Sequence, residues 1–115
     1  MAPAEPRRWT LEAARAALPE VRSRTAKAVP EVEALLAERE ALDPQSQEHA
    51  AVEARLRLRV EAWVRSMEAL GAEVKGLWLV DFDNGSGYYC WRWPEEALEW
   101  FHGHEEGFAG RVRIQ

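Results

Sequence analysis

The chain has 115 residues, of which 47% are hydrophobic and 30% are charged, and its net charge is −5. This length and composition predict a single globular domain over residues 1–115 and argue against disorder. The acidic balance lacks the concentrated basic surface that nucleic-acid binding needs, so we expect no nucleic-acid partner. One cysteine, Cys90, excludes an internal disulfide framework and fits a reducing compartment. Without an apolar signal-peptide region or a membrane-length apolar run, we expect a cytoplasmic protein with no membrane association.

The N-terminal half, residues 10–71, has the pattern of a helical hairpin. Apolar or small residues recur every three or four positions in two stretches, as on one face of a helix. Thr10 and Ser46 are candidate N-caps, because their side-chain oxygens can accept hydrogen bonds from the first helical N–H groups. Gly71 follows the second stretch and can adopt the left-handed conformation that ends many helices. We therefore predict two antiparallel helices joined by a turn at residues 42–46.

Two prolines interrupt the first helical stretch. Pro19 and Pro30 each lack the N–H that a helix interior requires, whereas proline is tolerated in the first turn of a new helix. The pattern therefore predicts a short helix from Thr10 to about Leu18, followed by a longer one with a kink or break near Pro30.

The C-terminal part, residues 77–115, changes to a strand pattern. Residues 77–82 are rich in β-forming side chains, residues 83–87 (DNGSG) are typical of a turn, and residues 88–93 predict a second strand. Residues 94–102 fit either a short helix or a third strand. Because an isolated hairpin is only marginally stable, we predict a two- or three-stranded antiparallel sheet after the helices, and hence an α+β fold.

Alternation places large apolar side chains on both faces of this sheet. Trp78, Val80 and Phe82 share one face of the first strand, and Leu77, Leu79 and Asp81 share the other. One face is expected to pack on the helices, and the other carries more apolar surface than a small sheet usually exposes. The pattern favours a groove or an association surface, and we expect a homodimer with a possible protein partner. The alternative is that the C-terminal tail covers this face.

Several short motifs resemble one family over most of the chain. They are TLEAARAALPEV (residues 10–21), LGAEVKG (70–76), VDF (80–82), CWR (90–92), His102 and GFAGR (107–111). In these the chain resembles an uncharacterised bacterial family of small proteins, domain of unknown function 2203. The resemblance implies a small α+β protein with a helical pair and a short antiparallel sheet, and it implies no activity.

Two histidines are candidate metal ligands. His102 and His104 are two residues apart, so in a strand both point to one face. Nearby groups that are able to complete such a site are Asp81, Asp83, Cys90, Glu105 and Glu106. Nitrogen and oxygen ligands suit zinc or another divalent transition metal. The alternative interpretation is two surface histidines in a polar loop, and we expect no metal or other cofactor.

The sequence is compatible with two further kinds of site. The glycines of residues 107–111 allow a backbone anion site with Arg111 and Lys75, but a glycine turn in which Arg111 pairs with an acid is the favoured interpretation. A nucleophilic Cys90 assisted by His102 is possible on composition. A buried, inert cysteine is more common in a strand rich in aromatic residues.

The sequence therefore predicts a non-enzymatic protein that binds another protein or a small ligand. The residues expected at a ligand site are Lys75, Asp81, Cys90, His102 and Arg111. The alternative is a metal-dependent enzyme with a site near His102 and Asp81.

Overall fold

The computed structural model describes residues 7–115, which form a helical hairpin packed on one face of an antiparallel sheet. The helices are α1 (Leu11–Glu40) and α2 (Gln47–Ala69). The strands are β1 (Glu73–Gly76), β2 (Leu79–Asp83), β3 (Gly87–Arg92), β4 (Trp100–Gly103) and β5 (Val112–Arg113), and a 3-10 turn at Phe108–Gly110 precedes β5. Each strand pairs antiparallel with the next one along the chain. The predicted α+β class and helical hairpin are confirmed.

The predicted helix ends are also confirmed. The Thr10 hydroxyl accepts a hydrogen bond from the N–H of Ala13 at 3.0 Å, and the Ser46 hydroxyl accepts one from the N–H of His49 at 3.1 Å. Gly71 has a φ of 90°, in the region that side chains rarely allow. Across the described residues, neither helix is apolar enough over a sufficient length to cross a membrane.

The separate short helix and the break near Pro30 predicted from the sequence are wrong, because α1 continues through Pro19 and Pro30. Both prolines are exposed, on the side of α1 that faces solvent. Each proline removes one backbone hydrogen bond there, and water can reach the carbonyl that is left without a donor. The opposite side of α1 remains regular and buried.

A tryptophan anchors the two helices to each other and to the sheet. Trp63 of α2 donates a hydrogen bond from Nε1 to the Thr25 hydroxyl at 2.9 Å, and that hydroxyl donates to the Val21 carbonyl at 2.8 Å. The Trp63 ring also packs edge-on against Trp78, with 4.9 Å between ring centroids. Ion pairs at the edges of the hairpin join Arg39 to Glu53, Arg55 to Glu38 and Arg59 to Glu31. Each of these ion pairs joins a residue of α1 to a residue of α2.

The sheet has five strands, more than the two or three predicted, and it begins at Glu73 rather than near Leu77. The additional strands β1 and β5 contain four and two residues, too few to show a clear alternation of apolar and polar side chains. Within residues 94–102, whose structure the sequence left open, the strand interpretation applies from Trp100 onward.

Both faces of the sheet contain completely buried residues, but these residues differ in chemistry. On the inner face, which packs on the helices, Val80, Phe82 and Trp91 are completely buried. Trp9 closes one end of this core: its backbone N–H donates to the Asp83 carbonyl at 2.7 Å, and its ring packs edge-on against Phe82. The alternate residues of the same strands point to the outer face, where the candidate site lies.

Candidate functional site

Three neighbouring strands each contribute one buried ionisable side chain to the outer face. Asp81 of β2 lies directly opposite Cys90 of β3, and His102 of β4 lies opposite Tyr88, one step along the same face. The carboxylate, thiol and imidazole ligand atoms all lie within 4.8 Å of one another. Asp81 and Cys90 are 0% exposed and His102 is 4% exposed. Hydrogen-bonded strands therefore hold all three groups in a fixed, dry arrangement.

The hydrogen bonds of His102 define its tautomer. Nδ1 lies 2.9 Å from the carbonyl oxygen of Gly103, and Nε2 lies 2.8 Å from Oδ2 of Asp81. Because a carbonyl oxygen only accepts, Nδ1 carries a hydrogen and donates it. The Nε2–Oδ2 contact then requires one further proton, which belongs either to the ring or to the carboxyl group. Burial raises the pKa of Asp81 and so favours the protonated carboxyl. In both cases the pair is neutral overall.

The second carboxyl oxygen of Asp81 has no partner. Oδ1 is buried and makes no hydrogen bond to any residue that the structure describes. A buried polar atom without a partner typically destabilises a protein by ~1–3 kcal/mol. A bound cation or a hydrogen-bond donor from a ligand would satisfy this oxygen.

Cys90 is buried beside this carboxyl group. Burial raises the pKa of its thiol to about 12, and the neighbouring Asp81 carboxyl adds to the shift. A thiol with this pKa carries almost no thiolate at neutral pH, and the thiolate is the reactive form. The arrangement therefore does not support a cysteine nucleophile assisted by His102, and it fits the inert cysteine that the sequence favoured.

A cavity of about 370 Å³ opens beside the pair, within the size range of small-ligand sites. Its lining comes from β1 to β4 and from the segment after β4, and consists of Lys75, Leu79, Asp81, Tyr88, His102, His104, Glu106, Gly107 and Phe108. The C-terminal segment thus forms one wall of a pocket over the outer face. Acidic and basic side chains both line the pocket.

Lys75 and Arg111, the other two residues expected at a ligand site, occupy different positions. The Lys75 ammonium lies 4.3 Å from the centre of the Tyr88 ring and lines the cavity. Arg111 lies outside the lining, forms a bidentate ion pair with Glu95 at 2.8 and 3.1 Å, and stacks 4.1 Å from the centre of the Phe108 ring. Arg111 therefore pairs with an acid, as the favoured interpretation of that segment predicted.

His104 does not join His102 as a second ligand. Its Nε2 lies 2.9 Å from Oδ1 of Asp83, and its ring packs edge-on against Tyr88. Instead, the group of potential ligands found among residues 7–115 pairs His102 with Asp81 and Cys90. The position of the turn between β2 and β3 indicates which residues of the two strands pair, and it places Asp81 opposite Cys90. Sequence reasoning did not identify Tyr88 as part of the pocket, and no local signal marked it.

Comparison with known proteins identifies the family but no activity. No curated protein and no solved structure matches this chain. One family model matches residues 7–114, which is nearly the whole sequence. The chain therefore belongs to the family described as an uncharacterized conserved protein, DUF2203.

Proposed function

We propose that this protein binds a divalent transition-metal ion of the zinc type through Asp81, Cys90 and His102. The observation that carries the proposal is the convergence of one oxygen, one sulfur and one nitrogen ligand atom within 4.8 Å, from three adjacent strands. This mixture of ligands is typical of zinc and of related divalent metals, and not of calcium or magnesium, which prefer oxygen. The proposal replaces the expectation of a site without metal, and it keeps the expectation of a non-enzymatic protein whose ligand site includes Asp81, Cys90 and His102.

The hydrogen bond from His102 to Gly103 supports this assignment. Metal-ligating histidines usually donate the hydrogen of the other ring nitrogen to a carbonyl or carboxylate, which fixes the tautomer and the ring orientation. Here Nδ1–H donates to the Gly103 carbonyl, so Nε2 is the nitrogen whose lone pair is available to a metal. That nitrogen points at Asp81.

Charge balance also supports a divalent ion. Without metal, the three groups hold two exchangeable protons, one between Asp81 and His102 and one on the Cys90 thiol. A divalent cation that displaces both protons leaves the site neutral, which avoids the large desolvation cost of adding a net charge to a buried position. The bound cation would also satisfy Oδ1 of Asp81, which otherwise has no partner among the described residues.

The cavity favours one second candidate, a metal-dependent enzyme. Structural zinc sites have four protein ligands, whereas catalytic sites have three protein ligands and an open position. Asp81 and His102 both line the cavity, so a fourth position facing it would be open to a small substrate. Lys75 and Tyr88 would contact that substrate. Turnover of a substrate only by metal-loaded protein would favour this candidate over simple metal binding.

Cobalt(II) titration of tag-free protein tests the metal site. We expect one Co²⁺ per chain, an absorption band from thiolate-to-cobalt charge transfer, and displacement of cobalt by zinc. Cys90→Ser should remove the charge-transfer band. His102→Ala should weaken binding by more than ~100-fold, because loss of a ligand exceeds the effect of losing an outer hydrogen-bond partner.

His104→Ala is the matched control, because His104 lines the same cavity but lies outside the ligand group. It should leave the cobalt spectrum and stoichiometry unchanged. The proposal is wrong if the protein binds no stoichiometric metal, or if His104→Ala removes binding while Cys90→Ser and His102→Ala do not.

The homodimer, the protein partner and the cytoplasmic location stay predictions. Leu58 and Leu77 are large apolar side chains that are at least half exposed, so either is accessible to a second copy of the chain. Light scattering at several protein concentrations tests the dimer. A strict monomer at the highest concentration would contradict it.

A further inference from the structure

We propose that a second cavity, between α1 and the connection from β3 to β4, binds a small organic anion, with one carboxylate or phosphate group on an apolar body. The cavity has a volume of about 300 Å³. Arg15 and Arg22 line it, together with apolar atoms of Leu18, Pro19 and Leu98.

The two arginines differ from most others in this chain. Seven described arginines form ion pairs with carboxylates: Arg24, Arg39, Arg55, Arg59, Arg65, Arg111 and Arg113. Over residues 7–115, neither Arg15 nor Arg22 has such a partner. The Nε of Arg22 is buried and makes no hydrogen bond to the described residues. A guanidinium is always protonated, so this buried donor has an unmet need for an acceptor.

Arg15 and Arg22 line the same cavity, so one ligand there would lie near both residues. Arg15 and Arg22 are seven residues apart on α1, which places them on the same side of the helix, about 10 Å apart along its axis. Arg15 is held by hydrogen bonds from Nε and Nη2 to the Leu98 carbonyl, at 3.3 and 3.1 Å. Its Nη1 remains available. A side chain that is already ordered loses less entropy when a ligand binds.

The lining determines the class of ligand. The planar fork of arginine matches carboxylate and phosphate oxygens. Between the two arginines lie Leu18 and Pro19, which present hydrocarbon and suit an apolar body such as one ring or a short branched chain. Glu96 is the single acid among the lining residues, so two positive charges face one negative charge. This balance favours a ligand with a single anionic group over a polyanion.

This site shares no residue with the outer-face cavity. The inference therefore holds whether or not Asp81, Cys90 and His102 bind a metal.

The test uses benzoate and phenyl phosphate as probes, with benzyl alcohol as the uncharged analogue, in NMR titrations of the isotope-labelled full chain. We expect benzoate or phenyl phosphate to shift the backbone signals near Arg15, Arg22 and Leu98 in a saturable manner. Affinity should be roughly millimolar, as ligands of this size usually show. The probe that binds more tightly identifies the anionic group that the site prefers.

Arg22→Met keeps the hydrocarbon length and removes the charge, so it should weaken binding of the anion by ~10- to 100-fold, the range for loss of a charged hydrogen bond. Arg22→Lys keeps the charge without the fork and should give an intermediate loss. Arg57→Met is the matched control, because Arg57 is exposed on α2 and outside this cavity. The inference is overturned if neither anion binds, if benzyl alcohol binds equally well, or if Arg22→Met and Arg57→Met behave alike.

Discussion

The inner and outer faces of the sheet use alternate residues of the same strands, yet they are buried for different purposes. Val80, Phe82 and Trp91 on the inner face contribute apolar burial against the helices, which stabilises the fold. Asp81 and Cys90 on the outer face are buried just as completely but contribute polar groups. Burying polar groups costs free energy, whereas burying apolar side chains at the same positions would not. Complete burial alone therefore does not identify the core, and the chemistry of the buried atoms separates a stabilising face from a candidate site.

The largest effect is expected on the inner face. Trp91→Ala removes a completely buried indole and its hydrogen bond to the Glu95 carbonyl, so we expect it to lower the free energy of unfolding by about 3–5 kcal/mol. Urea denaturation measures this loss. Trp93→Ala, at a partly buried neighbouring tryptophan, serves as the control and should lose less. Equal losses of unfolding free energy at Trp91 and Trp93 would contradict the greater contribution expected of the completely buried residue.

A smaller loss of stability is expected from His102→Ala on the outer face. The substitution leaves both carboxyl oxygens of Asp81 buried without partners, and we expect a loss of about 2–3 kcal/mol in metal-free protein. Asp81→Asn is the near-isosteric control, because its amide can still donate to Nε2, and it should lose less. Urea denaturation in the presence of a chelator compares the variants. If His102→Ala loses nothing, the pair does not contribute to the stability of the outer face.

The smallest effect on stability is expected at the edge of the outer face. Arg111→Met removes the partly buried ion pair with Glu95, and we expect a loss of about 1 kcal/mol. The Arg111 guanidinium lowers the pKa of the Cys90 thiol, against the larger opposing effect of burial, so the substitution should raise this pKa further and slow labelling of this single cysteine by a thiol reagent, which reacts with the thiolate. Arg113→Met, which removes a more exposed ion pair, should change neither quantity. Unchanged or faster labelling in Arg111→Met would contradict the effect of Arg111 on the pKa of this thiol.

Local rules sufficed for the helix ends and for part of the site. Thr10, Ser46 and Gly71 act within one turn of chain, so their roles follow from sequence alone. The alternation of β2 and β3 and the turn between them likewise place Asp81 and Cys90 on one face and opposite each other. Residues whose partners are a few positions away, or across a tight turn, are therefore predictable.

Other features depend on contacts between distant parts of the chain. The cost of Pro19 and Pro30 in α1 is small because the tertiary packing leaves both on the exposed side, which the spacing of the prolines did not reveal. The short strands β1 and β5 form because a neighbouring strand supplies their hydrogen bonds, and their own composition is too brief to specify them.

The pattern of the sequence was sufficient for the α+β class, the helical hairpin and the hairpin of β2 and β3, and it placed Asp81, Cys90 and His102 among the residues expected at a ligand site. The tertiary structure was needed to show that the ligand atoms of these three residues lie within 4.8 Å of one another, while His104 pairs with Asp83. The physical reason is register: β4 joins β3 after an irregular connection, and the pairing of Tyr88 with His102 is set by packing between strands rather than by any local turn. Arg15 and Arg22 likewise could not be identified from the sequence. An arginine has or lacks a carboxylate partner according to the residues that the fold brings next to it.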